Sequence, residues 1–128
     1  MSYLEEEKMA TNDTCCTIVP YFKVENGKMD AFKVICQKLV EQTSTEPDCL
    51  YYGCSFNGDL VHVREGYKNG EALLAHLENV GAILEEGFQI SEIARLEVHG
   101  PEEELAKLRE PLASLNPEFF TLEYGIRK

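Results

Sequence analysis

Basic residues are scarce in this chain. Twelve Lys and Arg stand against 23 Asp and Glu, a formal net charge of −11. A nucleic-acid binder neutralises phosphates with clustered Lys and Arg, and the longest basic run is the final Arg127-Lys128 pair. Nucleic acid is therefore not an expected partner, and the acidic surplus reads as a solvated surface. Long apolar runs are also missing; none approaches the roughly 18–20 residues that span a bilayer. The opening MSYLEEEKMATNDT lacks the positive and apolar regions of a signal peptide, so a cytoplasmic protein without a membrane partner is expected. The three histidines, His62, His76 and His99, share no ligand spacing, and the helical i, i+4 pair of a zinc site is absent. No phosphate-cradling glycine pattern, nucleotide fingerprint or Gly-x-Ser-x-Gly elbow occurs. Neither a metal nor a cofactor is implied.

The five cysteines follow no metal-site pattern: Cys15 and Cys16 are adjacent, Cys36 stands alone, and Cys49 and Cys54 lie five apart. On a regular strand an odd separation puts Cys49 and Cys54 on opposite faces. All five are expected to be reduced, mostly buried small hydrophobes.

What is present is a regular alternation of strand and helix signals. Residues 1–14 are polar, acidic and aperiodic, a flexible tail; residues 15–128 form one domain. Cys15–Val24 is a strand by its β-branched and aromatic content, and Pro20 marks an interruption in its pairing. A helix follows from Lys28 to about Thr45, with Met29, Phe32, Ile35, Cys36, Leu39 and Val40 as its apolar stripe. Pro47 ends it. Cys49–Phe56 and Leu60–Tyr67 are strands joined by Asn57-Gly58-Asp59, a strong hairpin signal.

Asn69-Gly70 then opens a second helix reaching about Glu86, with the stripe Leu73, Leu77, Val80 and Leu84. Gly81 inside it costs about 1 kcal/mol relative to alanine and implies close packing or a break; Gly87 reads as a C-terminal cap. Ile93–His99 is a strand with Ala94, Leu96 and Val98 as its apolar face. Pro101 and Glu102–Glu104 start a short helix, the carboxylates facing its positive end. Glu118–Tyr124 is a last strand.

The order is β-α-β-β-α-β: an α+β, ferredoxin-like antiparallel sheet with a short C-terminal helix and an extra strand. Two helices cover one sheet face, yet several strands are apolar or aromatic on both. A second copy packed by two-fold symmetry is the simplest cover, so a homodimer is expected.

At Glu46-Pro47-Asp48-Cys49-Leu50-Tyr51-Tyr52 the chain resembles the antibiotic-biosynthesis monooxygenase (ABM) family of dimeric α+β barrels, which tends to carry Glu-Pro-Gly-Cys at this strand start. The resemblance continues through Glu65-Gly66-Tyr67, Glu71-Ala72 and His76-Leu77, and covers roughly residues 18–90. It implies a barrel formed with the second copy and a cavity between sheet and helices. Family members include cofactor-independent oxygenases acting on quinols or phenols, haem-degrading enzymes, and many proteins without assigned activity. The chain has no tryptophan; where haem-degrading relatives place a Trp and an axial His, His76 and Gly87 stand, which argues against haem.

The candidate catalytic residues are His76 and Glu65. His76 sits one residue off the helix stripe, where an imidazole near neutrality can take a proton from a phenol or enol; the alternative is a half-exposed histidine bonded to a neighbour. Glu65 shares a face with Val63 and Tyr67 and is either a base with a raised pKa or the partner of an arginine. Tyr52 and Tyr67 either bond and stack on a ligand or are core aromatics; with Phe22, Leu73 and Val80 they are the candidate substrate-binding residues. The function expected is binding of a small aromatic or quinol-type molecule, with cofactor-independent monooxygenation as its chemistry. The alternative is a non-catalytic binding or structural protein.

Overall fold

A computed structural model describes residues 11–128. Its elements are β1 (Cys16–Val24), α1 (Met29–Thr43), β2 (Cys49–Asn57), β3 (Leu60–Tyr67), α2 (Gly70–Phe88), β4 (Ser91–Gly100), α3 (Glu102–Leu105), a 3-10 turn (Ala113–Leu115) and β5 (Glu118–Thr121). The strands form one sheet in the order β2-β3-β1-β4-β5. The first four are antiparallel and ferredoxin-like in topology; β5 adds in parallel outside β4. Of the tail expected over residues 1–14, residues 1–10 lie outside those described. Within the rest, Asp13 accepts from Arg127 at 2.8 Å and the Thr14 hydroxyl donates to the Lys68 carbonyl at 2.7 Å.

The sheet is open, and this overturns the expected barrel. β2 and β5 are its two edges and do not pair with each other. Closing a sheet requires a consistent tilt and stagger of all strands. Here α1 and α2 instead make a second layer on one face, and the core lies between the layers. Phe32, Ile35, Cys36 and Leu39 of α1 are buried there, as are Phe22, Val61 and Val63 of the sheet. Val40, placed on the α1 stripe by periodicity, is 45% exposed.

Two bulges reset which residues face the core. β4 pairs with β1 in one register up to Tyr21–Arg95 and in another from Phe22–Ile93, leaving Ala94 as the extra residue. Ile93 therefore joins Leu96 and Val98 on the inner face, and Ala94 turns outward, contrary to strict alternation. The shift adjoins Pro20, and the β1–β3 pairing has a gap between Thr17 and Tyr21, as a proline without an N–H requires in a central strand. In β2 the register shifts between Cys49 and Tyr51, so Cys49 opposite Tyr67 and Cys54 opposite Val63 share the inner face. All five cysteines are free thiols; Cys16 and Cys36 are buried, the others half-buried.

Asn69 caps α2, its side chain accepting from the Ala72 N–H at 2.9 Å. The helix passes through Gly81, where a Cβ would meet nothing within 4 Å, so neither close packing nor a break explains that glycine. It also runs past Gly87, which packs against Phe32 and Ile35 instead of capping. On the outer face, Gly66 makes room for the Tyr51 ring, with which an added Cβ would collide. Arg64 lies over that ring, 4.7 Å from its centroid.

The C-terminal extension is fastened by Glu104. Helix α3 has only four residues, too few for the dipole argument made for its carboxylates. Glu104 is 7% exposed and its side chain accepts from the Gly70 N–H at 2.9 Å, while Lys107 donates to it at 3.0 Å. A carboxylate thus satisfies a free donor at the N-terminus of a different helix, α2. Glu104→Ala is expected to lower stability by about 1–3 kcal/mol, the usual cost of stranding a buried donor. Urea unfolding with an unchanged midpoint would show that this contact is not what holds the extension.

Candidate functional site

Three segments converge on one imidazole. α2 presents His76 at the centre of its buried face, in line with Leu73 and Val80 at three- and four-residue spacing, and the residue is 2% exposed. It lies on the stripe, not beside it. The turn after α1 brings Glu46 to Nδ1 at 2.8 Å. β3 brings Glu65, 4% exposed, to Nε2 at 3.3 Å. The Tyr67 hydroxyl donates to the same Glu65 oxygen, Oε1, at 2.6 Å. The rings of Tyr67 and Tyr52 lie 4.7 and 5.5 Å from the imidazole centroid. Glu65 is therefore paired with His76 and Tyr67, not with an arginine.

The protonation of this cluster follows from competing effects. Burial disfavours the Glu65 carboxylate and pushes its pKa up; hydrogen bonds from His76 and Tyr67 and the charge of His76 offset that only in part. Burial alone would lower the pKa of His76, but hydrogen bonds and charge from Glu65 and Glu46 outweigh it, and the net shift is upward. The pair accordingly keeps a proton above the ordinary range of either group. Burial, reinforced by the Glu65 charge, also raises Tyr52 and Tyr67, so both phenols stay neutral donors.

Beside His76 and Glu65 lies a narrow cavity of about 50 Å³ under the inner face of the sheet. Phe22 and Tyr52 line it, as do Pro20, Leu77, Phe88 and Leu115. Apart from Tyr52, Glu65 and His76 its walls are apolar. Its volume suits a few water molecules and is well below the roughly 300 Å³ at which ligand pockets begin. Phe88 and Leu115 are 39% and 41% exposed, so their side chains are free to rotate and widen it.

Of the residues singled out by sequence, His76, Glu65, Tyr52 and Phe22 meet at the cavity. Tyr67 stands behind Glu65, fully buried; Leu73 and Val80 are core residues off the cavity. His62 packs edge-on against Tyr21, and His99 stacks on Phe120 and contacts Glu97 at 2.8 Å, away from His76. Among the described residues no group of three or more His, Cys, Asp or Glu is placed to hold a metal ion, and no helix is long and apolar enough to cross a membrane. Sequence reasoning met Glu46 as the first residue of the family resemblance, gave it no role at the site, and passed over Asn79. The signal for Asn79 was its position one helical turn after His76.

Comparison with known proteins adds the following. The chain matches the family described as antibiotic biosynthesis monooxygenase over residues 16–82. MupZ from Pseudomonas fluorescens is 47% identical, the match covering 89% of this chain and 94% of that one with a TM-score of 0.85. A conserved protein from Methanosarcina mazei Go1 is 19% identical over 76% of this chain and 96% of that one, TM-score 0.61. Rv0793 from Mycobacterium tuberculosis is 16% identical over 68% and 94%, TM-score 0.61. The latter two are alike in fold alone. No curated protein sequence matches.

The shared proton has a consequence for stability. A raised folded-state pKa means that His76 contributes fully below the unfolded imidazole value of about 6.5 and loses its contribution as pH rises through the folded value. Glu65 acts in the same direction, contributing fully below the ordinary carboxylate value and less as pH rises toward its elevated folded value. The wild-type melting temperature is therefore expected to fall more steeply as pH rises above about 6 than that of a His76→Asn, Glu65→Gln double variant. Parallel profiles would mean that the two groups do not hold the proton.

Proposed function

The chain belongs to the antibiotic biosynthesis monooxygenase family, and on that premise we propose that it binds a small aromatic or quinol-type molecule beside His76. Its action on that molecule is cofactor-independent monooxygenation, in the cytoplasm and as a homodimer. One observation carries this reading: an imidazole clamped between two carboxylates sits at the polar end of an otherwise apolar cavity. Such a wall takes up a ring by burial of apolar surface, and the polar end meets its hydroxyl. In the state that has lost its shared proton, the Glu65–His76 pair takes the phenol or enol proton. The resulting electron-rich anion reduces O2, one oxygen atom entering the substrate and the other leaving as water, with the substrate supplying all the electrons. Tyr52 lies within reach to donate to the ligand's oxygen. The half-exposed outer sheet face, with Val19 and Tyr51, is the surface the second copy covers.

The size of the cavity favours one alternative, a non-catalytic binding or structural role, because the space is nearly filled by side chains. A thermal-shift screen with simple quinols and phenols, followed by oxygen uptake, separates the two. We expect a quinol to raise the melting temperature and to be consumed with O2, and His76→Asn to slow turnover by about 10²–10⁴-fold, the usual worth of general base catalysis. Stabilisation without oxygen uptake would transfer the weight to a binding role, and no stabilisation at all to a structural one. Leu115→Ala is expected to tighten binding of a two-ring phenol relative to a one-ring phenol, read as a change in the ratio of the two Kd values; an unchanged ratio would mean that Leu115 does not limit the cavity.

A further inference from the structure

We propose that Asn79 is a positioning residue for this site: by holding Glu46 it decides which nitrogen of His76 carries the fixed proton. The inference rests on the reading of His76 as the proton-transfer group.

Asn79 lies three residues after His76 on α2, so both side chains leave the same side of the helix toward the C-terminal end of α1. Its amide is engaged at both ends. Oδ1 accepts from the Gln42 side-chain amide at 2.7 Å, and Nδ2 donates to the Gln42 backbone carbonyl at 3.2 Å and to Glu46 Oε2 at 2.8 Å. A carbonyl and a carboxylate only accept, so the NH2 group must face them and the orientation of the amide is forced. Glu46 Oε2 then receives two donors, Asn79 Nδ2 and His76 Nδ1.

The chemical consequence is a division of labour between the two ring nitrogens. Nδ1 holds its proton permanently against Glu46. The exchangeable proton is left on the Nε2 side, shared with Glu65 Oε1 beside the cavity. Glu46 sits on a turn with its side chain 12% exposed. Without Asn79 it is free to rotate toward water, and Nδ1–H loses the acceptor that selects this tautomer. The groups facing the imidazole are then Glu65, Tyr67 and Tyr52, all on the Nε2 and sheet side.

The test is histidine ¹⁵N NMR on the ligand-free full chain. Wild type is expected to show His76 with a protonated, slowly exchanging Nδ1. In Asn79→Leu that Nδ1–H signal is expected to be lost to exchange and the ring ¹⁵N shifts to move to a tautomer mixture, with cooperative melting retained. Gln42→Leu, which removes only the donor to Asn79 Oδ1, shifts the spectrum the same way and less far, and stands in if Asn79→Leu does not fold. Combining Asn79→Leu with Glu46→Gln is expected to move the spectrum no further than Glu46→Gln alone, because coupled residues are non-additive. An unchanged His76 spectrum in Asn79→Leu, or in Gln42→Leu where Asn79→Leu does not fold, or additive effects in the combination, overturns the proposal. These spectra need no substrate: a lost tautomer with no quinol turnover sinks the reaction reading alone, and an unchanged tautomer with turnover lost in His76→Asn sinks the positioning role alone.

Discussion

Burying a carboxylate beside an imidazole is the costliest arrangement in this fold, and the elements around it are placed so that the cost is met. An unpaired Glu65 at this depth would forfeit several kcal/mol of solvation. Three elements share the work of compensating it. β3 supplies the Tyr67 hydroxyl two residues along the same strand face, α2 supplies His76, and the turn after α1 supplies the second carboxylate, which holds the other ring nitrogen. Remove any one and the others are left with an unmet donor or charge. The pairing of α1 with α2 and the seating of α2 on β3 are thus tied to one cluster as well as to the apolar core.

That dependence explains why the cluster faces a cavity without being flooded by it. Phe22, Leu77 and Phe88 line the space between the sheet and α2 beside the cluster. Water is limited to a small volume, so the carboxylate–imidazole interaction keeps the strength that a low-dielectric surrounding gives it. The same packing restricts what can approach His76. A ligand must displace side chains from the Phe88 and Leu115 end, where exposure leaves them room to move, because the Tyr67 end is closed by core residues.

The architecture was legible because its signals are local. Asn57-Gly58, the two amphipathic helices and the β-rich segments each act over a few residues, and together they leave one topology. Two features failed for a common reason. Ile93 and Ala94 were assigned to the wrong faces, and Cys49 was separated from Cys54, because a bulge adds a residue that strict alternation cannot anticipate. The barrel failed because it came from resemblance; nothing in the strands of this chain closes the sheet. His76 and Glu65 were legible as chemistry-bearing residues on apolar elements. Glu46 and Asn79 were not, since their role depends on the α1–α2 contact that brings residues more than 30 positions apart within hydrogen-bond distance.

The asymmetry between the two carboxylates is what makes the cluster more than a buried ion pair. Glu46 receives donors from Asn79 and His76 and stands partly in reach of water, away from the cavity. Glu65 is almost wholly enclosed, and for it the neutral form is the cheaper one. One imidazole bridges a carboxylate at the edge of solvent and another that burial disfavours as an anion. A proton on the Nε2 side therefore lies between two groups that compete for it, His76 Nε2 and Glu65 Oε1, and a proton shared in this way is one that a third group can draw on. A structural ion pair gains from the opposite arrangement, in which the proton sits firmly on the base. The environment of Glu65 argues that this fold keeps the proton shared, at a cost in stability that a purely architectural contact would not carry.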